Sequence, residues 1–187
     1  RGYGVKRLGS PDKVDADTRF GIASNTKAFT ALALGMLVEE GKLEWDAPVV
    51  NYLPQFMMWD SWVTRQITVR DILVHNSGLG LGAGDLLWWP PTTYTPQQIM
   101  QRLRYIEPAT SFRSAYAYDN VLYLVAGQLI QAVSGQSWSD FVTNRIIRPV
   151  GMKEATTTHA AAGDAQGNVA ATHARVDGVV RVIKPFS

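Results

Sequence analysis

The run Ala28-Phe-Thr-Ala-Leu-Ala-Leu-Gly-Met-Leu-Val38 is almost wholly apolar. It reads as a helix without a polar face, and such a helix must be buried, so the rest of the chain has to be arranged around it. Glu39, Glu40 and Gly41 end the run, well short of the roughly 18 apolar residues a membrane span requires. The apolar segment is therefore expected to be the central helix of a globular core.

What opens this helix carries the first chemical signal. Strand-like residues lead through Phe20-Gly-Ile-Ala to Ser24, and Lys27 follows three residues later in the first helical turn. Residues three apart on a helix share a face, with Cβ atoms roughly 5–6 Å apart, so a hydroxyl and an amine can meet there as nucleophile and base. A Ser-x-x-Lys match is common by chance. On the octapeptide alone the plainer reading, a helix cap followed by a solvated lysine, is favoured.

Along the chain, residues 1–23 read as two short strands joined by the polar loop Gly9 to Asp17, and residues 24–152 as mainly helical. Thr68 with Asp71 resembles a capping box opening a brief helix to His75. Thr95-Pro-Gln-Gln98 is a helix start with Thr as cap, Pro in first position and Gln in third; Ile99, Leu103 and Ile106 mark the buried side of that helix. Leu122, Val125, Leu129 and Val133 repeat at helical spacing up to Gly135. Ser137 with Asp140 caps one more helix, which stops at Pro149-Val-Gly151. Residues 153–187 are loop-like until a final strand at Val179–Ile183. The expected class is α+β: an antiparallel sheet made of N- and C-terminal strands, with the helical block inserted between them. A ligand site would fall in the cleft between the two parts.

At 187 residues with a formal net charge of +2, and with Lys and Arg scattered, the chain carries no nucleic-acid footprint. The absence of cysteine removes disulfides, thiolate nucleophiles and cysteine zinc sites together; it suits an exported bacterial protein, periplasmic or secreted. His75, His159 and His173 lack paired spacing, so no metal is expected. Gly78-Leu-Gly-Leu-Gly-Ala83 fits a loose dinucleotide pattern but does not follow a strand, and is set aside. There is no Gly-x-Ser-x-Gly elbow of the α/β-hydrolase type. Trp88, Trp89 and Tyr94 are expected to pack, with an apolar acyl pocket as the second reading.

Tyr118-Asp-Asn120 supplies the second signal. It ends a Ser- and Tyr-rich loop and stands directly before a helix. A phenol can carry a proton, and a carboxamide can both donate to and accept from a substrate amide. Taken alone, a capping Asn or Asp preceded by a buried Tyr explains it as well.

Together, Ser24-x-x-Lys27 opening one buried helix and Tyr118-x-Asn120 opening another resemble the serine β-lactamase and penicillin-binding protein family. His75-Asn-Ser-Gly-Leu79 and Arg148-Pro-Val-Gly-Met152 resemble two further segments of that family, and the resemblance runs essentially end to end. The Tyr-x-Asn form is similar to the class C-like branch, which includes carboxylesterases and D-peptidases.

The resemblance implies a β-lactamase/transpeptidase-like fold and an acyl-enzyme on Ser24, with the Ser24 N–H as an oxyanion donor. Lys27 would be the general base, Tyr118 a second proton carrier and Asn120 the grip on the acyl side chain, without cofactor or metal. The substrate would be an ester, a β-lactam or a peptide, with carboxylesterase favoured. The family's third motif, Lys-Thr-Gly or His-x-Gly on a closing strand, has no match after Asn120, neither at His159-Ala-Ala nor at His173-Ala-Arg. This chain is therefore expected to be the N-terminal portion of one catalytic domain, truncated at its C-terminus. A second chain could supply the missing strands. A penicillin- or peptide-binding sensor that does not turn over, and a fragment inactive without its remainder, are the alternative readings.

Overall fold

A computed structural model of the chain describes residues 1–158 and 167–184. His159 lies outside them. The chain divides into two compact units, residues 1–26 with 143–187, and residues 27–142.

The second unit holds most of the apolar core. Its first helix, α1 (Thr26–Glu39, with Thr26 at the junction), buries Thr30, Ala33, Leu34 and Leu37. The expectation of burial on every side is corrected: Ala28 is exposed and Leu32 is 52% exposed, so the 28/32 stripe stands uncovered. The Thr30 hydroxyl accepts a hydrogen bond from the Trp138 indole at 3.0 Å, which satisfies the one polar side chain on the buried stripe. α2 (Ser61–Gln66) starts at Asp60, whose carboxylate accepts from the Trp62 and Val63 N–H groups.

α3 (Pro96–Arg102) begins with Thr95 as its cap, as expected, and the structure adds the reciprocal bond from the Gln98 side chain that completes a capping box; the helix buries Ile99 and Met100. It packs on α4 (Val121–Ser134), which buries Val121, Leu122, Val125, Ala126, Leu129 and Ile130. Gly135 ends α4 at φ +72°, a left-handed conformation that costs glycine nothing. α5 (Trp138–Val142) packs on α4 in turn and buries Phe141 and Val142.

Thr68 and Asp71 form their reciprocal cap: Asp71 Oδ2 accepts from the Thr68 N–H, and Thr68 Oγ1 from the Asp71 N–H. No helix propagates from it, contrary to expectation. His75 turns the chain into the left-handed region at φ +61°, which a continuing helix forbids. Trp88, Trp89 and Tyr94 were expected to pack, but are 37%, 43% and 40% exposed. The Arg102 guanidinium lies 3.9 Å from the centre of the Tyr94 ring, a cation–π contact at the surface.

In the other unit the only sheet among the described residues is a C-terminal hairpin. β1 (His173–Val176) pairs antiparallel with β2 (Val179–Val182), with His173 opposite Val182 and Val176 opposite Val179. Asp177 and Gly178 make its two-residue turn at φ +50° and +79°, the doubly left-handed geometry that Asp-Gly supplies. The strand at His173–Val176 is an addition to the expected loop.

The expected N-terminal strands are corrected to isolated bridges. Val5 faces Lys13 antiparallel, and Arg19 faces Val169 in parallel, held by Arg19 N–H to the Asn168 carbonyl and Ala170 N–H to the Arg19 carbonyl, each at 2.8 Å. Gly4 and Gly9 sit at φ +77° and +84°, conformations that interrupt a ladder after one pair. The N-terminal segment is thus joined to the C-terminal part of the chain without a strand: beside the Arg19–Val169 bridge, Ala171 N–H donates to the Lys6 carbonyl, Leu8 N–H to His173 Nε2, and Asn168 bonds to Asp15 and Thr18.

Candidate active site

Lys27, in the first turn of α1, is half-buried, and its Nζ donates to Asn120 Oδ1 at 2.6 Å. The same ammonium lies 4.6 Å from the centre of the Tyr118 ring and 5.2 Å from that of Tyr123, distances at which a ring face attracts a cation. Lys27, Tyr118 and Asn120, distant in sequence, thus meet within one compact unit.

Asn120 is free for this contact because its neighbour does the capping. Asp119 Oδ1 accepts from the Leu122 N–H at 3.1 Å, while the Asn120 side chain makes no cap bond although it occupies the cap position of α4. Its Nδ2 instead donates to Asp85 Oδ2 at 2.9 Å. The capping reading of this tripeptide therefore falls to Asp119, and the carboxamide bridges a lysine and a carboxylate.

Asp119 is fully buried. Burial pushes its carboxyl up to about 6, against the donors Leu122 N–H and Ser77 Oγ, which favour the anion. Its own N–H donates to His75 Nδ1 at 3.2 Å. Burial first, and the charge of Lys27 second, hold His75 below its ordinary value, and an Nδ1 that accepts a hydrogen bond is unprotonated. The imidazole lies 4.6 Å from the Tyr118 ring and 5.6 Å from each of the Tyr116 and Tyr123 rings, centre to centre. Tyr123 donates its hydroxyl to the Leu73 carbonyl at 2.9 Å, and burial raises its pKa.

A stitched pair of segments holds these groups in register. The His75 carbonyl accepts from Ala117 N–H, that of Asn76 from Arg113 N–H, and that of Gly78 from Ala109 and Thr110 N–H. Gly78, at φ +95°, leaves no room for a side chain: a Cβ there would stand 2.8 Å from the Thr110 oxygen. Further on, the Gly82 N–H donates to the Tyr118 carbonyl at 3.0 Å. His75, Asp85 and Tyr123 were not singled out as site residues from the sequence. The Leu122–Leu129 helical repeat that placed Asn120 also placed Tyr123 one turn away, a signal that could have found it.

Ser24 belongs to the other unit. It is exposed and sits in the single 3₁₀ turn Ala23–Asn25 that runs directly into α1. Ala23 precedes it at φ +44°, an uncommon conformation for a residue with a Cβ that sharpens the turn before the serine. Only Asn25 and Thr26 separate Ser24 from Lys27 along the chain.

The chain belongs to the Beta-lactamase family, whose family model matches residues 1–185. Unguisins hydrolase ungD' of Aspergillus campestris is 34% identical over 161 residues, which are 81% of this chain and 29% of that protein. Among solved structures, the octameric penicillin-binding protein homologue from Pyrococcus abyssi superposes with a TM-score of 0.79 at 26% identity, covering 98% of this chain and 42% of that one. A D-stereospecific amidohydrolase from Streptomyces sp. gives 0.62 at 32% identity, over 74% and 44% of the two chains. The fold is the β-lactamase/transpeptidase-like fold, and the chain spans less than half the length of each of these relatives.

Proposed function

We propose that this chain is the N-terminal portion of a β-lactamase-like catalytic domain of a serine hydrolase that forms an acyl-enzyme on Ser24. The observation that carries the reading is the 2.6 Å contact between Lys27 Nζ and Asn120 Oδ1 beside the Tyr118 ring, because it joins the lysine of Ser-x-x-Lys to the asparagine and phenol of Tyr-x-Asn, groups suited to proton transfer and amide recognition.

In this mechanism the Ser24 hydroxyl attacks a carbonyl carbon as Lys27, in its neutral form, takes the hydroxyl proton. Negative charge developing on the carbonyl oxygen is met by the Ser24 N–H at the entrance to α1, where the helix favours an anion. Collapse of the tetrahedral adduct expels the leaving alcohol or amine, which takes a proton from Lys27 or Tyr118. Water then attacks the ester and gives its proton to whichever of Lys27 and Tyr118 protonated the leaving group; collapse expels Ser24, whose oxygen takes a proton back from Lys27, and the free acid departs. The second hydrogen of Asn120 Nδ2, beyond the one given to Asp85, is available to the acyl side chain of the substrate.

Substrates are carboxylic esters or the amides of β-lactams and peptides. Trp88, Trp89 and Tyr94, each partly exposed, offer apolar surface to an acyl group, which supports the carboxylesterase reading. The name of one relative, a D-stereospecific amidohydrolase, favours the amide arm.

The test is labelling of the full-length protein with a fluorophosphonate and with a penicillin. Wild type should take one label on the peptide carrying Ser24, and Ser24→Ala none. Label on another residue would overturn the assignment. Parallel turnover of p-nitrophenyl butyrate, nitrocefin and a D-Ala-D-Ala peptide separates the substrate classes, and a burst without steady state identifies a binder that does not turn over.

A further inference from the structure

The Gly78–Gly84 loop, set aside as a nucleotide motif, ends against the candidate site. Gly82 is tied to Tyr118 by its N–H. Gly84, at φ +85°, lies so close to α4 that a Cβ there would be 3.2 Å from Val121 Cγ1 and 3.1 Å from Ile106 Cδ1. The next residue is Asp85, which opens the single turn Asp85–Leu87 and receives Asn120 Nδ2. Its other oxygen, Oδ1, is buried with no hydrogen-bond partner among the described residues.

We infer that Asp85 is a positioning residue: by accepting from Asn120 Nδ2 it fixes which end of the Asn120 carboxamide faces Lys27. The reason lies in the donor and acceptor inventory. A carboxamide presents an acceptor at one end and donors at the other, a lysine ammonium only donors, and a carboxylate only acceptors. With Nδ2 on Asp85 and Oδ1 on Lys27, both contacts are complementary. Rotating the amide by half a turn would set oxygen against carboxylate and NH₂ against ammonium, two repulsive contacts in place of two bonds.

Lys27 alone cannot hold that orientation through a reaction cycle. When it gives up its proton it becomes an acceptor as well, and the amide loses its preference. The Asp85 oxygen that accepts from Nδ2 does not change with the proton on Lys27, so it keeps the Oδ1 end toward Lys27 and leaves the remaining Nδ2 hydrogen in a constant direction. The glycine loop serves to bring a carboxylate to this point without a side chain in the way.

This inference rests on the proposed function for its catalytic consequence, and the test separates the two. In full-length protein, Asp85→Ala should slow fluorophosphonate labelling of Ser24 about tenfold, the rate equivalent of one lost hydrogen bond. Asp85→Asn, whose carbonyl oxygen can still accept from Asn120, should recover to within about threefold of wild type on the same scale. Added to Asn120→Ala, Asp85→Ala should slow labelling no further, because its effect passes through that amide.

The side-chain amide ¹⁵N–¹H signals of Asn120, assigned by their loss in Asn120→Asp, should shift and exchange faster in Asp85→Ala and stay near their wild-type positions in Asp85→Asn. Unchanged Asn120 signals in Asp85→Ala, wild-type labelling by that variant, failure of Asp85→Asn to recover, or additive effects in the double variant would each overturn the inference. A wild-type protein that takes no label on Ser24, with Asn120 signals that still respond to Asp85→Ala, would sink the proposed function and uphold the anchoring of the amide.

Discussion

Replacing Asp119 with asparagine should remove a pH dependence from the stability of the protein. Asp119 is fully buried at the entrance to α4, and burial raises its carboxyl from 3.8 to about 6. In the unfolded chain the group ionises near 3.8. Between that value and about 6 the folded protein therefore holds a proton the unfolded chain has lost, and stability falls as pH rises across this window. Below the window the carboxyl is neutral in both states and the full stability is present.

The displacement of about 2 pH units corresponds to about 3 kcal/mol in all, of which about 2 kcal/mol is lost between about pH 4.5 and 7.5. Asparagine is isosteric and keeps both contacts: its oxygen can accept from the Leu122 N–H, and its NH₂ can donate to Ser77 Oγ, whose hydroxyl turns to accept. Urea unfolding of wild type and Asp119→Asn at several pH values isolates the contribution as a difference. Asp71 runs the opposite way, because its Arg113 and Thr68 hydrogen bonds outweigh burial and hold it below the ordinary carboxylate range; taking the difference cancels it. The variant should gain on wild type by about 2 kcal/mol from pH 4.5 to 7.5. A difference that stays flat, or that reverses, would refute the assignment of a neutral carboxyl to this site.

Lys27→Ala should lower the acylation rate about 10²–10⁴-fold while the protein still folds, as thermal unfolding would show; an unchanged rate would remove Lys27 from the proton transfer and leave it a structural partner of Asn120. Gly84→Ala forces φ +85° on a residue with a Cβ and crowds Val121 and Ile106, so it should cost about 1–3 kcal/mol in urea unfolding. The same variant should displace Asp85 and shift the Asn120 side-chain amide signals. Wild-type stability would show that the loop gives way instead.

Much of the helical framework was legible because its signals are local. The Thr95–Gln98 box needs only residues three apart in sequence, and both of its hydrogen bonds are formed. The Leu122, Val125 and Leu129 repeat carries the buried side of α4 for the same reason. Reading failed where a local signal met a distant constraint. Thr68 and Asp71 pair as their spacing directs, yet the helix stops because residues 75–78 are bound to residues 109–117. α1 has an apolar sequence on all sides, but which stripe is covered depends on what packs against it, and sequence periodicity cannot say.

The candidate site divides in the same way. Sequence alone determined which groups are at hand: a serine and a lysine one helical turn apart, and a phenol and a carboxamide before another helix, since residue types and short spacings are written in the chain. Only the tertiary structure decided that Lys27 reaches Asn120, that Asp119 rather than Asn120 caps α4, and that Asp85 and His75 close around them. The Asp119 cap spans three positions, but the contacts of Lys27, Asp85 and His75 join residues 35 to 93 positions apart. They form only when burial of the core brings α1, the glycine loop and the start of α4 together, and short-range spacing carries no information about such meetings.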